Sequence, residues 1–159
     1  MYYSYYWPVK YAAQKEQRVK SAPPFQDQHR FLQMTLQAIY NEREAQLFYR
    51  ALEDRAITPF QKRQIRHAHD DEVKHERKLT NLYKILTGHP PHVRNPSPPE
   101  IPDFQVAVRK AFEDELEAAE MYRTMYLMTH LQWVRDLLME LMTDEFEHAN
   151  RFAFIRAEL

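Results

Sequence analysis

The chain has 159 residues, 44% of them hydrophobic and 28% charged, with a formal net charge of -1; that is enough for one domain with a real core. Charges of both signs are interspersed, no basic block marks nucleic acid or an anionic membrane as partner, and no apolar run approaches the roughly 20 residues of a membrane span. The absence of cysteine excludes disulfides, thiol catalysis and Cys-ligated zinc or iron.

Residues 1–25 open with MYYSYYWPVKY, five Tyr in eleven residues. This reads as an N-terminal tail, either adhesive towards another surface, folded as a lid, or loosely ordered. It lacks the continuous apolar stretch of a signal peptide, so a cytoplasmic protein is expected. The periodicity predicts a first helix over about 26–54. A second runs over 58–87, from a Thr58 cap with Pro59 in its first turn to a stop at Gly88, the single glycine. Residues 89–102, HPPHVRNPSPPEIP, are too rich in proline for a helix. In extended form at ~3.1 Å per residue they reach roughly 40 Å, about the length of the preceding helix. The third helix, 103–128 with Asp103 as cap, therefore starts at the end where the second started, and a fourth follows over 130–158. The expected architecture is all-α, a four-helix bundle of two helical hairpins joined by one long Pro-rich crossover.

One pattern occurs twice. Glu42, Ala45 and Tyr49 are followed by Asp71, Glu72 and His75; 73 residues on, Glu115, Ala118 and Tyr122 are followed by Asp144, Glu145 and His148. At ~100° per residue, Glu42 shares a face with Phe31, Thr35, Ala38, Ala45 and Tyr49, whereas Glu44 points away. Glu115, Glu72 and Glu145 lie on equivalent apolar stripes, with His75 and His148 one turn beyond the last two. The thirty-residue spacing within each copy puts all four glutamates near mid-helix, at one level. Four carboxylates in an apolar bundle repel one another and lose hydration, at several kcal/mol per charge. Two divalent cations would cancel them, and the histidines add one imidazole to each. An isolated Glu-x-x-His is ordinarily an exposed pair; two copies, each with an upstream inward Glu at equal spacing, argue for a metal pair held by Glu42, Glu72, His75, Glu115, Glu145 and His148.

A metal-bound histidine passes its other ring N–H to an acceptor, a role that Asp71 and Asp144 could fill from across the bundle unless they are simply exposed helix charges. Tyr49 and Tyr122 either hydrogen-bond a ligand carboxylate and supply an oxidisable ring, or pack in the core. His69 is read as packing or solvent-facing, because its counterpart in the second copy is Met142; His29, His67, His89, His92 and His130 have no matched partners and are unassigned.

The paired ExxAxxxY and DExxH motifs, in that order twice, resemble the ferritin-like diiron carboxylate superfamily and in particular its rubrerythrin-like branch. The resemblance covers roughly 27–88 and 103–159. It implies that the same six residues ligate two iron ions, with manganese as the other metal, and that Glu72 and Glu145 bridge them. It further implies oxidation of Fe(II) by O2 or H2O2, in iron detoxification or peroxide defence, and a homodimer. Two departures bear on this. Rubrerythrins usually append a four-cysteine rubredoxin domain, absent here, so a peroxidase would need a separate electron donor. They also carry a further Glu, used in a redox-dependent ligand shift, where this chain has Ala118. The other functional readings are a metal-stapled structural or interaction protein, for example spore-associated, and a manganese catalase-like activity.

Overall fold

The computed structural model describes residues 23–101 and 103–159. The Tyr-rich opening, residues 1–22, lies outside the described residues, and so do the readings placed on it. Four helices follow in order: α1 (Gln28–Glu53), α2 (Pro59–Thr87), α3 (Phe104–Leu127) and α4 (Gln132–Ala157). Among the described residues there is no strand, only one isolated antiparallel bridge between Phe25 and Thr129.

Local chemistry explains where each helix begins. Asp27 accepts from the Arg30 amide at 2.9 Å, and Asp103 accepts from those of Gln105 and Val106. Thr58 and Gln61 form a reciprocal capping box, with Pro59 at the first helical position, where no N–H is needed. α2 stops at Gly88, whose N–H makes the last helical bond, to the Lys84 carbonyl at 2.8 Å, and whose φ of 76° turns the chain away.

α4 begins at Gln132, later than the periodicity predicts, because the preceding backbone is engaged elsewhere. The Gln26 amide donates to the Met128 carbonyl, and the His130 amide and Thr129 hydroxyl both donate to the Pro24 carbonyl. Phe25, read from sequence as the end of a tail, is buried, its ring 4.7 Å from that of Phe31. Residues 24–26 thus staple the α3–α4 turn.

α1 pairs with α2 and α3 with α4, giving two helical hairpins that meet along α2/α4 and, more sparsely, along α1/α3. The crossover is pinned beside α1: the Arg43 guanidinium donates to the Val93 carbonyl at 2.9 Å, and Arg94 lies over the Tyr40 ring. The core is split into two apolar plugs. One holds Phe31, Ile39, Leu79, Leu82, Met125 and Leu138; the other holds Leu52, Ile65, Val108, Phe152 and Ile155. Between them lies a layer of buried Glu and His. No described helix is long and apolar enough to cross a membrane.

An added Cβ at Gly88 would meet nothing within 4 Å, so a substitution there tests backbone conformation alone. Gly88→Ala should destabilise the protein by about 1 kcal/mol in urea unfolding. An unchanged midpoint would show that α2 does not depend on this left-handed cap.

Candidate metal centre

Each helix contributes to the layer between the plugs: Glu42 from α1, Glu72 and His75 from α2, Glu115 from α3, Glu145 and His148 from α4. None of the six is more than 3% exposed. They form two four-residue groups, Glu42, Glu72, His75 and Glu145 on one side, and Glu72, Glu115, Glu145 and His148 on the other. In each group the potential ligand atoms lie within 4.8 Å of one another. Glu72 and Glu145 belong to both.

The distances show how the sharing works. His75 Nδ1 lies 3.1 Å from Glu72 Oε2, 3.2 Å from Glu145 Oε1 and 3.7 Å from Glu42 Oε2. His148 Nδ1 lies 3.0 Å from Glu72 Oε1, 3.1 Å from Glu145 Oε2 and 3.6 Å from Glu115 Oε1. Each central glutamate thus presents one oxygen to each imidazole. A single ring N–H cannot serve three oxygens, and the hydrogen-bond geometry is satisfied only towards the glutamate of the same helix. Glu42 Oε2, Glu72 Oε1 and Glu145 Oε1 are consequently buried without a hydrogen-bond partner among the described residues. Orphaned carboxylate oxygens at this depth are costly, and a cation bound among them would supply the missing partner. The residues present could hold metal ions, with Nδ1 as the atom that each histidine turns towards the carboxylates.

The outer ring nitrogens face away from the cluster and meet the aspartates of the opposite hairpin. His75 Nε2 lies 3.1 Å from Asp144 Oδ2, and His148 Nε2 lies 3.4 Å from Asp71 Oδ2. The tyrosines cross between hairpins in the same reciprocal way. The Tyr49 hydroxyl donates to Glu115 Oε1 at 2.5 Å, and that of Tyr122 donates to Glu42 Oε1. Both phenols are therefore hydrogen-bonded to candidate ligand carboxylates while their rings pack in the core.

Without metal, protons take the place of cations. Burial, then repulsion from Glu145, Glu42 and Glu115, raises the Glu72 carboxyl well above its ordinary range. Burial pushes Glu115 up to about 8 against the pull of His148. Burial opposes ionisation of Glu145 too, but His148 and His75 bring it down to about 2. Burial alone would lower both histidines; the surrounding carboxylates, Asp144 first for His75 and Asp71 first for His148, outweigh it and hold both rings protonated. Tyr49 and Tyr122 are raised by burial and by neighbouring carboxylates, Glu115 and Glu42 respectively.

Two neighbours of Asp71 have no counterpart in the repeat. His67 Nε2 lies 3.1 Å from Asp71 Oδ2, and Lys74 Nζ lies 2.5 Å from Asp71 Oδ1. Burial resists ionisation of Asp71, but His148 and Lys74 hold its carboxyl well below the usual range. The positions matching His67 and Lys74 in the second copy are Glu140 and Glu147, so Asp144 has acidic rather than basic residues one turn either side. The i, i+4 spacing from His67 to Asp71 was the available signal; the failure of the repeat at that position concealed it. His69 pairs with exposed Asp70, away from the cluster.

A cleft of about 600 Å³ opens between α1 and α3 and reaches all four buried glutamates, but neither histidine. Ala45 and Ala118 leave the room for it.

No family model matches this chain. The uncharacterized protein YhjR of Bacillus subtilis is 28% identical over 160 residues, an alignment covering 99% of each chain. Among solved structures, a hypothetical protein from Pyrococcus furiosus superposes with a TM-score of 0.73 at 23% identity, over 80% of this chain and 88% of that one. A conserved hypothetical protein from Mycobacterium tuberculosis gives 0.70 at 13% identity, over 81% and 98% respectively. A Xanthomonas campestris protein gives 0.69 at 17%, over 82% and 90%. These likenesses establish the fold alone.

The protonation pattern yields a pH dependence of definite sign. Glu115 and the histidines have folded values above their ordinary 4.5 and 6.5, so their contributions are full below those values and are lost as pH rises. Glu145 acts oppositely, contributing above 4.5 and losing that only as pH falls towards 2. The metal-free protein should therefore lose thermal stability from about pH 5 to pH 9, whereas the increment from added Mn(II) should grow, because binding displaces protons. Calorimetry at each pH checks both; a flat metal-free profile, or an increment largest in acid, would contradict the assignment.

Proposed function

We propose that this chain is a non-haem dimetal oxidoreductase of the ferritin-like diiron carboxylate type, close to the rubrerythrin branch. In this reading it oxidises Fe(II) with O2 or H2O2, in iron detoxification or peroxide defence. The observation that carries the reading is the pair of buried four-donor groups sharing Glu72 and Glu145. A donor set of carboxylate and imidazole without sulfur suits iron or manganese. An iron pair held by these residues would supply two electrons, one per Fe(II), enough to reduce one H2O2 with two protons to two waters.

The chain's own groups prepare for that exchange. Asp144 and Asp71 can accept the Nε2–H of His75 and His148, fixing the tautomer that aims each Nδ1 lone pair at the cluster. Tyr122 holds Oε1 of Glu42 and leaves Oε2 facing His75, while Tyr49 holds Oε1 of Glu115, the oxygen that also faces His148. Sustained turnover as a peroxidase would draw on a separate electron donor.

Stopped-flow absorbance of the anaerobic, Fe(II)-loaded protein mixed with O2 or H2O2 tests this. Rapid oxidation is expected, slowed by about 100-fold in His148→Ala and about tenfold in Asp71→Asn. Metal binding that raises thermal stability with no oxidation would instead identify a structural staple. Oxygen evolution from peroxide by the manganese-loaded protein alone would identify catalase-like chemistry.

A further inference from the structure

We infer that the α1/α3 cleft is the uptake route for the dimetal centre and that its acidic mouth captures divalent cations from solvent. The inference rests on the dimetal reading above and adds where, and by which residues, Fe(II) as substrate reaches the site.

Three observations converge on this edge. The buried glutamates Glu42, Glu72, Glu115 and Glu145 line the cleft, and three of their oxygens lack a hydrogen-bond partner among the described residues. The opposite, α2/α4 side is closed by the two imidazoles and the aspartates bonded to them. Ala45 and Ala118, one turn beyond Glu42 and Glu115, line the cleft where a larger side chain would take up the space beside the glutamates. Exchange with solvent is thus easiest from the carboxylate side.

The mouth has a matching charge. Among the described residues, Glu44, Glu100, Asp114 and Glu117 line it, against a single cation, Lys110, held 2.5 Å from Asp114 Oδ2 and 5.6 Å from the centre of the Phe48 ring. Glu44 and Glu117 are equivalent in the repeat, each two residues past a ligand glutamate, so the two hairpins place one exposed carboxylate on either lip. Clefts with low-dielectric walls focus the field of such a rim and raise the local concentration of counter-ions. An anionic or strictly apolar substrate would meet the wrong surface here.

The test uses Co(II) alone, with no oxidant, following the visible absorption of the protein-bound ion after rapid mixing. Neutralising the lips with Glu44→Gln and Glu117→Gln together should lower the association rate about three- to tenfold at low ionic strength, with rates converging in high salt. Lys110→Gln should raise it. Asp70→Asn with Asp136→Asn, an equal charge change on exposed α2 and α4 positions, should leave it within about twofold. Ala45→Leu should slow binding and release together while leaving the affinity unchanged, as a narrowed passage requires. Normal Co(II) binding with rates indifferent to the lips would overturn the route and leave the dimetal reading standing. Failure of the wild-type protein to bind Co(II) would overturn both.

Discussion

Negative charge buried at mid-height governs the structure. Four glutamates, one from each helix, meet in a layer with less than a twentieth of their surface exposed. Desolvation of a carboxylate costs several kcal/mol, and mutual repulsion adds to it. The layer is tolerable only with positive charge inside it. In the metal-free chain that charge comes from two imidazolium rings and from protons retained on Glu72 and Glu115. These are also the protons that a pair of cations would displace. The same side chains therefore define a proton-filled state and a state competent to hold metal.

The rest of the fold keeps the layer in register. Apolar plugs above and below fix the helices to each other, so the carboxylates cannot relax apart into water. The crossover sets the second hairpin antiparallel to the first, so that the two copies of the motif face each other as equivalents across the centre. Reciprocal links follow from that equivalence: Tyr49 to Glu115 and Tyr122 to Glu42, His75 to Asp144 and His148 to Asp71. Each hairpin supplies the supports for the other's candidate ligands. The equivalence ends at the outer aspartates, where His67 and Lys74 flank Asp71 while Glu140 and Glu147 occupy the matching places around Asp144.

Periodicity and repetition made the helices, the inward glutamates and the paired histidines legible, because an i, i+3 spacing on an apolar stripe has one geometric meaning. Caps were legible too, as Thr58, Gly88 and Asp103 carry their chemistry locally. Features that depend on the meeting of distant segments were not. Nothing in the neighbourhood of Phe25 announces that its backbone pairs with Thr129. Whether Tyr49 and Tyr122 bond a carboxylate or only pack depends on the rotation of α1 against α3, which the sequence pattern leaves open. The acidic cleft arises from Glu100 on the crossover meeting residues of two helices, and His67 is hidden in the pattern because it breaks the symmetry of the repeat.

An anomalous difference map, measured on crystals of protein purified without added metal, addresses the centre itself. Two peaks are expected between Glu72 and Glu145, one within bonding distance of His75 Nδ1 and the other of His148 Nδ1, with an absorption edge identifying iron or manganese. A map with no peak there at high occupancy of the side chains, leaving the carboxylates paired only with imidazolium and protons, would contradict the assignment of a dimetal centre.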